Sequence, residues 1–336
     1  MKKLIALTLA LLLALSASAL AEKMTVGVLS LLNITEQEYA EGEQEKKDIV
    51  EKIPELEEAF NGPKPDEIAV VYYDTLDALL MGLQAGDVDT AQLPKATGDY
   101  LCARNDNLYL MGDVPQVEPT EENERELRQI VTGFSFLMLD SNAALRDEFD
   151  AAIAEMKDDG TMAALLETYI LDAVHDEEQK AVAFDNAYAE TVRVAVTGAL
   201  PPMDYVAPDG TYAGFNTAVL AEIGKRVGKN IELVQTDSMA RAAALASGTA
   251  DVVFWTRVAT DRDIPLPGES EEHHAQHLKE GQDRRKGNTG EEDRPPEDGP
   301  RPGGPGRNDK IDMPVGTVVT DPYYVDYFVF VAVKAQ

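Results

Sequence analysis

DTLDALLMGLQAGDVDTA at residues 74–91 and DSMARAAALASGTADVVF at residues 237–254 are two versions of one phrase. Each opens on an aspartate and continues in a helical apolar pattern. Each then passes through a small residue with glycine and ends where a second aspartate, Asp89 or Asp251, opens a short apolar strand. A chain that repeats such a unit at long spacing is expected to build two similar α/β lobes, and a cleft between two lobes is where a ligand would sit. The matching place of Asp89 and Asp251 argues for a structural role at the turn, against a pair of catalytic carboxylates.

Working outward from the first phrase, MTVGVLSLL (residues 24–32) reads as a buried strand, as does the run from Ile68 to Tyr73. Between them Ile49, Ile53, Leu56 and Phe60 recur at helical spacing, and Asn61-Gly62-Pro63 stops that helix. After the phrase the pattern predicts a helix over 97–103 and strands over 108–111 and 134–139, separated by an acidic loop at 112–125. Leu145, Phe149, Ile153 and Met156 form one helical stripe. Gly160 suits a left-handed helix end, and Thr161 is expected to cap the next helix, whose Leu165, Leu166, Tyr169 and Ile170 face inward. Residues 171–190 read as a connector. Around the second phrase, VRVAV from Val192 is a strand and Pro201-Pro202 a rigid turn. Asn216–Val227 is an amphipathic helix ended by Gly228, and 231–235 is a strand. YFVFVAV (327–333) is a closing strand. Alternating strands and helices predict mostly parallel sheets covered by helices.

Composition bounds the function. Lys2, Lys3, the apolar run Leu4–Leu15 and the small-x-small site ending at Ala21 read as a secretory signal peptide cleaved after Ala21, with the mature protein in the periplasm. The apolar run is too short for a membrane span. The net charge of −31, from 61 acidic against 30 basic residues, disfavours nucleic-acid binding, which needs cations to displace phosphate counterions. Cys102 is the only cysteine, so no internal disulfide is possible. Residues 264–312 are dominated by Pro, Gly, Glu, Asp and Arg, and read as a disordered insertion. His273, His274 and His277 inside it lack the spacing of a metal site, and neither metal nor cofactor is expected.

These residues resemble the extracellular solute-binding proteins, family 3, which serve amino-acid ABC transporters. VRVAVTGALPPMDYVAPDGTYAGFNTAVLAEIGKRVG is similar to the family's opening strand, turn and helix start, and ALASGTADVV and TDPYY to two later landmarks of its first lobe. VGVLSL and YYDTLDALLMGLQAGDVDTA resemble the second lobe, and LRDEFDAAIAEMKDDGTMAALLETYI the closing helices. The resemblance implies a two-lobed, type II periplasmic-binding-protein-like α/β fold, with lobe order permuted. Residues 22–170 are then second-lobe-like with the closing helices, and 191–263 with 313–336 first-lobe-like. It further implies a small polar solute, an amino acid above all, delivered to an ABC permease, with no enzymatic activity and no stable membrane insertion.

The resemblance also supplies the site. In the family a threonine and an arginine follow the strand that ends the first-lobe repeat. Here Thr260 is followed by Arg262, one residue short, while Arg257 lies just upstream, so either arginine is a candidate for a solute carboxylate. Trp255 and Tyr205, with Asp204 beside it, are candidates for the wall of the site. Ser30, Asn33 and Gln92 are candidates from the other lobe. Two other readings stay open: a sensory or degenerate module of the same fold, and an enzyme resembling the cyclohexadienyl dehydratases, for which no general acid stands out.

Overall fold

The computed structural model describes residues 23–30, 67–111, 131–175, 180–258 and 316–334. The signal peptide, the helix expected within 35–60, the acidic loop and the insertion at 264–312 lie outside the described residues, as do Asn33, Thr260 and Arg262.

The first sheet begins with β1 (Lys23–Leu29) and β2 (Glu67–Tyr73), paired in parallel from Lys23 opposite Glu67 to Leu29 opposite Tyr73. Helix α1 (Leu76–Ala85) leads to β3 (Thr90–Pro94), parallel to β1 on its other side. Thr75 caps α1 by accepting the Ala78 N–H at 3.2 Å, and Gly86 ends it at φ 79°. Helix and sheet lie unusually close because glycine faces the contact. A Cβ on Gly27 would fall 2.3 Å from Leu79, and one on Gly82 would fall 2.2 Å from the Tyr73 hydroxyl. Helix α2 (Lys95–Arg104) and β4 (Leu108–Met111) follow.

The chain then enters the second sheet through β5 (Thr132–Leu139). Helix α3 (Ala143–Asp158) buries Phe149, Ala152, Ile153 and Met156, the predicted stripe less Leu145, which is partly buried. Helix α4 (Thr161–Leu166) runs through a π-helical turn (Glu167–Leu171) into the short α5 (Asp172–His175). Gly160 is left-handed at φ 81°, as the sequence predicts. The cap is different: the Asp159 carboxylate, not Thr161, accepts the Thr161 N–H at 2.9 Å. Asp is a strong acceptor two residues ahead of an N–H in an Asx turn.

The second phrase lies in β6 (Thr191–Val196), a small antiparallel sheet of β7 (Ala199–Leu200), β8 (Asp204–Val206) and β9 (Tyr212–Ala213), and helix α6 (Phe215–Val227). It continues through β10 (Asn230–Gln235), a 3-10 turn (Ser238–Ala240), helix α7 (Arg241–Ala246) and β11 (Val252–Val258). Strands β6, β10 and β11 are parallel. The last strands are β12 (Thr317–Val319), β13 (Tyr324–Asp326) and β14 (Phe328–Val333).

The two phrases thus occupy equivalent places, and their aspartates act alike. Asp89 accepts the Thr25 N–H at 2.7 Å, and Asp251 accepts the Arg193 N–H at 2.9 Å. Each carboxylate ties the turn before the third parallel strand to the start of the first. Asp251 also takes a two-point ion pair from the Arg193 guanidinium.

The sheets do not follow the halves of the chain. The first runs β2-β1-β3-β14-β4 and the second β10-β6-β11-β5-β12, with β13 also on β5. So β14, from the last part of the sequence, sits antiparallel between β3 and β4, while β5 sits antiparallel beside β11. Phe136 of β5 stacks on Tyr323 at 4.4 Å and meets Phe149 edge-on at 5.5 Å, so the antiparallel strands carry much of the second core. Among the described residues no helix is long and apolar enough to cross a membrane.

Candidate ligand cleft

Open sheets with parallel strands bind ligands beyond the carboxyl ends of those strands. In this structure the two sets of carboxyl ends meet. Ser30 follows β1, Asp74 follows β2, and Ser238 follows β10. The Ser30 hydroxyl donates to the Asp74 carboxylate at 3.1 Å. From the other lobe the Ser238 hydroxyl donates to the Asp74 carbonyl at 3.0 Å. The opening aspartate of the first phrase therefore touches the second residue of the other phrase.

Behind Ser238, on the second lobe, lies a polar cluster. Arg241 donates to the carbonyls of Ser238 (3.3 Å) and Phe254 (2.9 Å), pinning the turn before α7 to β11. Burial pulls this guanidinium down to about 10, while the charges of Asp204 and Tyr323 oppose that shift. Asp204 is 1% exposed; it accepts the Gly198 N–H at 2.7 Å and the Thr197 hydroxyl at 3.2 Å. Burial still pushes it up to about 7. The Tyr323 hydroxyl donates to Asn216 at 3.0 Å.

A second buried carboxyl marks the passage between lobes. Asp326 accepts N–H groups from Ala96 (3.1 Å) and Tyr327 (2.8 Å) and the Tyr324 hydroxyl (3.0 Å), so it serves the first turn of α2. Burial pushes it, too, up to about 7. Both acids have folded values above the unfolded 3.8, so between pH 4 and 7 the folded chain binds more protons than the unfolded one. Their contribution to stability is full at low pH and is lost as pH rises through about 7, a change of order a few kcal/mol per carboxyl. The melting temperature, measured in high salt to screen the acidic surface, is expected to fall from pH 5.5 to pH 8. A rise over that range would show that both carboxyls titrate at ordinary values.

The structure distributes the sequence-predicted site residues unevenly. Ser30 stands at the meeting of the lobes. Gln92 lies two residues from the end of β3, level with Val28 of β1. It is 8% exposed, and its side-chain oxygen has no hydrogen-bond donor. Such an orphan costs about 1–3 kcal/mol. The Asp204 carboxylate is taken up by the turn after β6. Tyr205 is half-buried near Tyr100, Arg104 and Tyr169, away from Ser238; burial, with Tyr100 next, pushes its hydroxyl up to about 12. Arg257 is half-buried on β11 opposite Phe134, and Trp255 lies at the bulge between Val253 and Thr256. Sequence reasoning missed Asp74, Ser238 and Arg241. For Arg241 a signal existed: it stands four residues before the buried Leu245 of α7, a charge on an apolar helical stripe.

Elsewhere, Glu148, Glu190, Arg193, Lys229 and Asp251 line a shallow pocket at the amino ends of β6 and β10. Its cations are already paired, Lys229 with Glu190 at 2.7 Å and Arg193 with Asp251 at 2.8 Å. Among the described residues no group of three or more His, Cys, Asp or Glu side chains is placed to hold a metal ion.

Residues 192–262 match the model of the bacterial extracellular solute-binding proteins, family 3. No curated protein matches the sequence. Among solved structures, the ligand-binding component of an ABC-type import system from Staphylococcus aureus, with zinc bound, is 12% identical at a TM-score of 0.32, over 71% of this chain and 54% of that one. The periplasmic aliphatic sulphonate-binding protein SsuA from Escherichia coli is 11% identical at 0.30, over 93% and 62%. An arginine-bound ArgBP variant from T. maritima is 11% identical at 0.31, over 93% and 88%. The chain thus spans less than two thirds of the first two of these proteins. The matched segment runs from β6 through β11, the strands and helices that carry Ser238 and Arg241. Through it the chain resembles the bacterial extracellular solute-binding proteins, family 3, on a two-lobed α/β fold.

Proposed function

We propose that the chain captures a small polar solute between the facing carboxyl ends of its two sheets and delivers it to an ABC permease. An amino acid is the favoured solute class, and the mature protein starts after Ala21 and works in the periplasm. The observation that carries this reading is the hydrogen bond from Ser238 to Asp74, which joins the strand ends of the family-matched lobe to those of the other. Ser30 and Gln92 line the first-lobe side; Arg257 and Trp255 are on β11, and Thr260, Arg262 and Asn33 follow strand ends in the sequence. Asp204 and Tyr205 support the turn after β6. Closure of the two lobes on the solute exposes a single shape to the permease.

The test is a thermal-shift screen of the mature chain against the common amino acids and small organic anions. A ligand at a hundred times its Kd adds about 2.7 kcal/mol to the folded state. A raised melting temperature with one amino acid, reduced in Arg257→Ala or Arg262→Ala, is the expected result. A chain that melts cooperatively and answers nothing in the panel overturns the transport reading in favour of a sensory or degenerate module.

A further inference from the structure

The groups that β1, β2 and β3 bring to the first-lobe side of the cleft share one chemical character. Asp74 offers a carboxylate, Gln92 a carbonyl oxygen, and Ser30 a hydroxyl oxygen whose proton is already given to Asp74. These strands are adjacent, β2 and β3 flanking β1. Gln92 and Tyr72 both stand opposite Val28, so they share a face of the sheet with the residue two before Ser30. Tyr72 is itself two before Asp74.

Asp74 has no task in the fold that uses its charge. It precedes α1, yet Thr75 caps that helix. Among the described residues the Ser30 hydroxyl is the one hydrogen-bond donor to its carboxylate, which has room for several. Asp74 remains exposed, and no lysine or arginine pairs with it. Gln92 adds the second, independent observation: a side-chain oxygen more than nine-tenths buried at the same strand ends and lacking a donor. Buried acceptors in folded proteins are matched by donors, and an acceptor-only surface is matched by a group with several N–H bonds.

We propose that Asp74, Gln92 and Ser30 form a subsite for a cationic nitrogen of the solute, an ammonium or guanidinium group, with Asp74 as the residue that selects for charge. This deepens the solute-binding reading and rests on it. The geometry also couples recognition to closure. The Asp74 carbonyl is held by Ser238 of the second lobe, so the residue that receives the cation is the one the other lobe grips. The net charge of −31 favours approach of cationic over anionic solutes.

Isothermal titration of the mature chain with L-arginine, L-glutamine, putrescine and succinate tests the assignment. At least one amine-bearing probe is expected to bind, with succinate weaker than it. Asp74→Asn is expected to raise the Kd for that probe about tenfold or more, because hydrogen bonds to charged groups are the strong ones. Asp74→Glu, which keeps the charge, is expected to bind within a few-fold of the parent. Equal amine affinity in Asp74→Asn and the parent, or succinate as the tightest probe, overturns the subsite and leaves the solute-binding reading standing. A parent chain that binds none of the four probes overturns the subsite, while the wider thermal-shift screen decides the solute-binding reading separately. Should Asp74→Asn fail to fold, Gln92→Leu decides alone: it removes an acceptor from an apolar strand, and unchanged amine affinity in it refutes the subsite.

Discussion

Gly214→Ala is expected to destabilise the protein by about 3 kcal/mol or more, lowering the melting temperature by roughly 10 °C. Gly214 precedes α6 at φ 104°, a conformation that side chains with a Cβ rarely adopt. A Cβ there would fall 2.5 Å from the Met203 carbonyl oxygen and 2.7 Å from that of Pro202. Those carbonyls are not free to retreat, since they accept the N–H groups of Phe215 (2.9 Å) and Asn216 (2.8 Å) at the start of α6. Alanine must therefore strain the backbone, push the Pro202–Met203 turn away, or break both bonds. The same turn leads into Asp204 and its contacts with Thr197 and Gly198. The check is a thermal melt with a circular-dichroism spectrum; a melting temperature within a degree or two of the parent would refute the argument.

Asp326→Ala is the second large effect. Asp326 ends β13, where it stands opposite Thr132, and two residues later Phe328 stands opposite Pro94 in the other sheet. Its carboxylate binds two N–H groups and one hydroxyl, and the Tyr327 carbonyl accepts the Lys95 N–H at 2.8 Å beside it. Alanine leaves three buried donors without an acceptor, at a cost of about 3 kcal/mol or more. The loss is local to the strand that joins the lobes, so hydrogen exchange at Ala96 and Tyr327 is expected to accelerate more than exchange in β6 or β10. Uniform acceleration across both sheets would show that Asp326 supports global stability alone.

The repeated phrase was legible in the sequence because its signals are local. Apolar periodicity, a capping threonine and a left-handed glycine lie within a few residues of the element they define, as at Thr75, Gly86 and Gly160. The structural role of Asp89 and Asp251 could be read because the two phrases place them alike. The partners of β5 and β14 could not, because an antiparallel strand carries no mark of which distant strand it joins. β14 follows the second-lobe elements in sequence and pairs with β3 and β4. The cleft was half legible. Ser30 and Gln92 follow from strand ends, which the pattern locates. Asp74 reads in sequence as the opening of a helix, and its freedom from capping appears only when Thr75 is seen to take that task. Asp204 and Tyr205 looked like wall residues because they follow the Pro-Pro turn, yet burial draws the carboxylate into the fold.

The exchange of strands between the lobes also orders events during synthesis. Strands β1, β2, β3 and β4 are made first, but β14, which separates β3 from β4, is made after every element of the second sheet. Until residues 328–333 emerge, β3 and β4 have no neighbour in common, and that side of the first sheet has no ladder to close. Domains that fold as they emerge from the ribosome normally do so from the amino end. Here the early lobe waits for the late strand, and the distant pairing makes closure slow. A chain arranged in this way stays unfolded while it is being made, the state that a translocation channel can thread.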